Sequence, residues 1–118
     1  MERGITVISI RDLITELVAA WQAGDALRAS AFFSNDGVFA EAGHEPVVGR
    51  DAIVSHFTMF FRDGPAFRLI VKDTIAEEHR CAVFYAYELF KNDAWVKKDG
   101  VALVTVENGL VSSWKEFY

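Results

Sequence analysis

From Pro65 onward the chain is written almost entirely in strand-forming residues. Four runs, AFRLIVKDTIA, RCAVFYAYELF, AWVKKDGVALVTV and LVSSWKEFY, are rich in β-branched and aromatic side chains and are separated only by EEH, KND and ENG. Breaks this short cannot hold a crossover helix, so consecutive runs must pair antiparallel as hairpins. A long four-stranded meander therefore ends the chain, and whatever precedes it has to cover one of its faces.

The preceding half supplies that cover. Ile10, Leu13, Ile14, Leu17, Val18 and Trp21 fall at helical spacing, with Ser9 and Asp12 placed as an N-terminal cap and Gly24 as the stop. Asp25 caps a second, shorter helix through ALRASAFF. SNDG then turns the chain into a short strand, VFAEA, which carries Glu41. GHEP breaks that strand, and RDAIVSHFTMFF sets Ile53, His56, Phe57 and Phe60 on one stripe of a third helix. Helices first and hairpins after define an α+β class, with a curved antiparallel sheet packed over three N-terminal helices. At 118 residues the chain makes a single domain, 1–118, with one core.

Composition narrows the function classes. Twelve basic against seventeen acidic residues give a net charge of -5, and no basic run tracks a phosphate backbone, so nucleic acid is not an expected partner. His44, His56 and His79 lack zinc-site spacing and no glycine-rich phosphate loop occurs, so neither a metal nor another cofactor is expected. MERGITVISI is too short and too poorly flanked for a signal peptide or a membrane span. With the lone Cys81 unable to form an internal disulfide, a cytoplasmic location is the expectation. An apolar fraction of 52% with ten phenylalanines leaves apolar area for a ligand cavity or a subunit interface.

The order of elements, with AAWQAGD closing the first helix, FFSNDGVFAEA leading into a strand, GRDAI opening the third helix and GLVSSWKEFY ending the chain, resembles the nuclear-transport-factor-2-like superfamily. The likeness is greatest to its SnoaL-like and ketosteroid-isomerase-like branch. It implies a cone-shaped roll of sheet with a pocket down its axis and a homodimer formed through the sheet. Ketosteroid isomerases use a carboxylate base with an oxyanion hole of a tyrosine and a protonated aspartic acid. Set against that pattern, Glu41 takes the base position, while Leu17 and Ala102 stand where the two oxyanion donors would be. In limonene epoxide hydrolases a Trp-x-Asp pattern on the last strand carries a catalytic carboxylate that works with an arginine and a second acid. Trp114 and Glu116 match the pattern, and the neighbouring strand offers tyrosines instead of the other two.

Within this frame Trp114, Glu116 and Tyr118 share the strand face that points into the cone. Glu41 shares its face with Phe39, and apolar neighbours suit a carboxylate to general-base work. His56, on the inner stripe of the third helix, is suited to proton transfer beside Glu41. Tyr85 and Tyr87 share a strand face and can donate phenolic hydrogen bonds to a ligand oxygen. Phe57 and Phe60 line the cavity with them. The bland alternatives are an exposed strand-end glutamate for Glu41, an ion pair to Lys97 or Lys98 for Glu116, and a packed core residue for His56. The leading expectation is an enzyme that acts on an apolar, oxygen-bearing small molecule by cofactor-free general acid/base chemistry, of isomerase, dehydratase or cyclase type. Glu41, His56 and Glu116 are its catalytic candidates. A noncatalytic dimeric ligand-binding or interaction domain is the alternative, and an epoxide hydrolase a further one.

Overall fold

A computed structural model describes residues 9–118. Residues 1–8, most of the segment judged unfit for a signal peptide, lie outside the described residues. Helix α1 (Ile10–Gln22) begins where Ser9 accepts a hydrogen bond from the Asp12 amide, and α2 (Ala26–Ala31) where Asp25 accepts from the Arg28 amide. α1 buries Leu13, Ile14, Leu17 and Ala20, one or two residues per turn, which is the stripe its periodicity dictates. None of the helices among the described residues is long and apolar enough to cross a membrane.

Strands β1 (Phe33–Ala40), β2 (Val47–Val48), β3 (Phe67–Ala76), β4 (Arg80–Lys91), β5 (Ala94–Glu107) and β6 (Leu110–Phe117) form one curved, unclosed sheet in the order β2-β1-β6-β5-β4-β3. The meander β3–β6 pairs antiparallel throughout, as the short breaks require. Asn92 and Asp93 both take positive φ, as do Asn108 and Gly109, which is the backbone of two-residue turns whose twist matches the strands they join. Helix α3 (Arg50–Asp63) closes over the sheet with Ile53 and Phe57 buried against it.

The first strand departs from expectation. β1 begins at Phe33, so the second helix stops before the FF pair, and SNDG lies inside the strand as a bulge where the register to β6 shifts between Phe33 and Val38. β1 pairs parallel with β6 and antiparallel with β2, which makes it the one parallel contact in the sheet. Arg50 holds the bulge in place: its Nε and Nη2 donate to the Phe33 carbonyl at 2.9 and 2.6 Å. Arg50 is thus a structural hydrogen-bonder. Gly37 sits close there: a Cβ would lie 3.1 Å from the carbonyl oxygens of Ser34 and Val111. Beyond the bulge, Phe39 comes level with Trp114, and both side chains face the helices.

Candidate active site

Between the sheet and the helices α1 and α3 lies a narrow cavity of about 40 Å³, open at one end. Its walls are mainly aromatic. Trp21 from α1 meets Phe57 edge-on at 4.5 Å and stacks on Phe60 at 5.3 Å, while Phe39 meets Phe57 edge-on at 5.0 Å. Leu17, Phe39, Phe57, Phe60, Tyr85, Tyr87, Trp114 and Tyr118 all lie on this wall, together with Glu41, His56 and Glu116. Ala102 does not. It stands opposite Glu116 in the β5–β6 register, yet its methyl is sealed in the core, too short to reach the lumen.

Glu41 is the first residue after β1, not a member of the strand, because the chain turns back there: the His44 amide donates to the Glu41 carbonyl at 3.1 Å and Gly43 takes φ +80. The strand's alternation still carries it to the face of Phe39. Its Oε1 lies 3.2 Å from His56 Nε2, with the two side chains 31% and 37% exposed at the cavity's open end. An ionised carboxylate can only accept, so the imidazole must present Nε2–H to it, leaving Oε2 of Glu41 unengaged by this contact.

Glu116 sits deeper, on β6. Trp114 Nε1–H donates to Oε2 and the Tyr118 hydroxyl to Oε1, each at 2.8 Å. Two donors favour the charged form, but burial acts the other way and prevails: the carboxyl is pushed up to about 7, with the charge of Glu41 adding to the effect. Neither Lys97 nor Lys98 pairs with it among the described residues; Lys98 instead places its ammonium 5.2 Å from the Tyr118 ring centroid. Burial, followed by the charge of Glu116, also raises the phenols of Tyr85, Tyr87 and Tyr118, which keeps all three protonated and able to donate.

Four further residues line the cavity that the sequence did not single out as part of a site: Val18, Trp21, Phe33 and Leu69. Trp21 was open to inference, since it lies four residues beyond Leu17 on the same helical stripe. Leu69 was hidden because nothing in β3 alone says which face meets the helices. Among the described residues no arginine reaches the cavity wall: Arg50 is spent on Phe33, and Arg68 pairs with Glu88 and covers the Trp95 ring at 3.8 Å.

A curved, unclosed sheet over three helices defines an α+β protein of the nuclear-transport-factor-2-like, ketosteroid-isomerase-like fold. A sequence model of the SnoaL-like domain matches residues 14–114, and the chain belongs to that family. No curated protein matches it. Solved structures that share the fold include three of note. One is a hypothetical protein with a ketosteroid-isomerase-like fold from Catenulispora acidiphila, in complex with trimethylamine, with 14% identity, 94% of this chain and 87% of that chain covered, and a TM-score of 0.81. A second is the epoxide hydrolase/cyclase-like enzyme SalBIII, which has a role in pyran ring formation in the polyether salinomycin. It shows 19% identity, 91% and 88% coverage and a TM-score of 0.79. An epoxide hydrolase of M. tuberculosis, resembling limonene epoxide hydrolase, shows 15% identity, 90% and 75% coverage and a TM-score of 0.78.

Proposed function

We propose that the chain is a small-molecule enzyme that moves protons by general acid/base catalysis within the cone, on an apolar substrate bearing an oxygen. The observation that carries this reading is the Glu41–His56 contact at 3.2 Å in the same cavity as Glu116. A base and a potential acid then face one ligand. Glu41 takes a proton from a carbon next to a carbonyl through its free oxygen, and His56 holds the carboxylate in position by donating to the other. Glu116, protonated below about pH 7, gives a hydrogen bond to the oxygen on which negative charge develops. The chemistry of isomerases, dehydratases and cyclases begins with this step.

The epoxide-hydrolase alternative has Trp114 and Glu116 in its favour and the fold of two neighbours. It asks for an arginine that the cavity wall does not supply among the described residues. The noncatalytic alternative has in its favour Leu17 and Ala102 at the two oxyanion-donor positions of the resemblance. Phe84, Leu103 and Phe117 are exposed on the outer face of the sheet and suit a second copy of the chain. A homodimer through that face is compatible with either function.

A melting-temperature screen of the protein and of Glu41→Gln against enones, aromatic ketones, phenols and epoxides, repeated across pH, tests the proposal. Binding to the native state raises the melting temperature by mass action. Stabilisation that depends on pH and on Glu41 supports the enzyme; ligands that bind both forms equally at every pH favour the noncatalytic reading.

A further inference from the structure

One polar group in the cavity wall has nothing to bond to. The Tyr85 residue is 2% exposed, and its hydroxyl is buried without a hydrogen-bond partner. A buried hydroxyl left unpaired is costly, and native structures seldom keep one without a use. The nearest group able to accept from it is the Tyr118 hydroxyl, which gives its own hydrogen to Glu116, and the two phenols lie close without reaching hydrogen-bond geometry.

A second, independent feature fixes where that hydroxyl is. Tyr85 lies directly across the β4–β5 ladder from Gly100. A Cβ at Gly100 would come within 2.9 Å of both Cζ and Oη of Tyr85. Any other residue at position 100 would push the ring away. A glycine within a strand weakens it, and here that cost coincides with a close approach that lays the phenol along β5. The ring thus lies against the β5 backbone, and Tyr85 is one of the residues lining the cavity.

We propose that the Tyr85 hydroxyl, seated on Gly100, is the anchoring donor for an uncharged acceptor oxygen of the ligand, which makes the substrate class apolar molecules with a carbonyl or ether oxygen. The inference rests on the reading of the cavity as a ligand site. It accounts for an otherwise unused donor and makes Gly100 the residue that determines its position. Burial and the negative charges nearby keep the phenol protonated, so it donates and does not compete for protons. A carboxylate-bearing ligand would meet the two glutamates instead, which disfavours anions.

The test compares 2-acetylnaphthalene with 2-ethylnaphthalene, a matched pair with and without a carbonyl oxygen, binding measured by quenching of the tryptophans Trp21 and Trp114 in the wall. The native protein is expected to prefer the ketone about tenfold, the effect of one hydrogen bond to an otherwise unpaired buried group. Tyr85→Phe should remove that preference, with ethylnaphthalene still bound. Gly100→Ala should weaken the preference by displacing the ring. A ketone preference that survives Tyr85→Phe, or no preference in the native protein, overturns the inference. Glu41-dependent proton transfer in a protein that fails this test leaves the proposed function standing, and a Tyr85-dependent preference without proton transfer leaves the anchor standing alone. Binding of neither compound removes the ligand site and the anchor together.

Discussion

Glu41 and His56, fifteen residues apart in sequence, meet at 3.2 Å because the end of β1 and the second turn of α3 are held against each other at the mouth of the cavity. The histidine on this contact orients and does not replace the carboxylate. His56→Asn retains a donor and is expected to lower kcat by about tenfold or less, whereas His56→Phe should lower it by about a hundredfold or more, within the range for a positioned acid/base group. Steady-state kinetics on a turned-over ketone would check this; equal effects of the two substitutions would mean that the side chain only fills space.

The buried carboxyl of Glu116 gives stability a definite pH dependence. Its folded-state value of about 7 lies above the ordinary 4.5, so the folded protein holds a proton that the unfolded chain has lost. Its contribution is most favourable below pH 4.5 and is lost as pH rises through 4.5 to about 7, a change on the order of 3 kcal/mol. Glu116→Gln stays neutral and can still bond Trp114 and Tyr118. The variant should therefore melt above the native protein at pH 8, with the gap closing below pH 5, in thermal melts across pH. Activity that uses the protonated acid should fall above pH 7.

Trp114→Phe removes the 2.8 Å donor to Glu116 Oε2 without emptying the wall of an aromatic ring. Since that hydrogen bond favours the charged carboxylate, its loss should push the Glu116 carboxyl further up. Carbon-13 NMR titration of the glutamate carboxyls reads the shift directly, and a fall or no change would show that the indole does not govern this group.

Arg50→Ala should cost about 1.5–3 kcal/mol in urea denaturation, because the Phe33 carbonyl loses two bonds from a charged donor. The same substitution frees the bulge that sets the register of β1, so turnover should drop although Arg50 is absent from the cavity wall.

Those two arginine bonds also mark the boundary of what the sequence made legible. The meander could be read from short breaks, and the helix starts from Ser9 and Asp25, because hairpins and caps are local. That Trp114, Glu116 and Tyr118 share one face followed from strand alternation, and the family resemblance turned that face inward. The start of β1 did not: Phe33 and SNDG form strand only because β6, nearly eighty residues later, lies alongside and Arg50 clamps the bulge. Ala102 was expected at the wall because the resemblance placed it at an oxyanion-donor position, but a methyl cannot extend into the lumen. Gly100 carried a readable signal, a glycine inside a strand run, although its meaning needed Tyr85 across the ladder.

The measurement closest to the central claim is solvent deuterium exchange at the α-carbon of apolar aryl ketones such as 2-acetylnaphthalene, followed by proton NMR in deuterated buffer at neutral pH. The native protein is expected to accelerate exchange, and Glu41→Gln to lower the rate at least about a hundredfold while the ketone still binds. Exchange no faster than in buffer for ketones that demonstrably occupy the cavity, or an undiminished rate in Glu41→Gln, would contradict that claim.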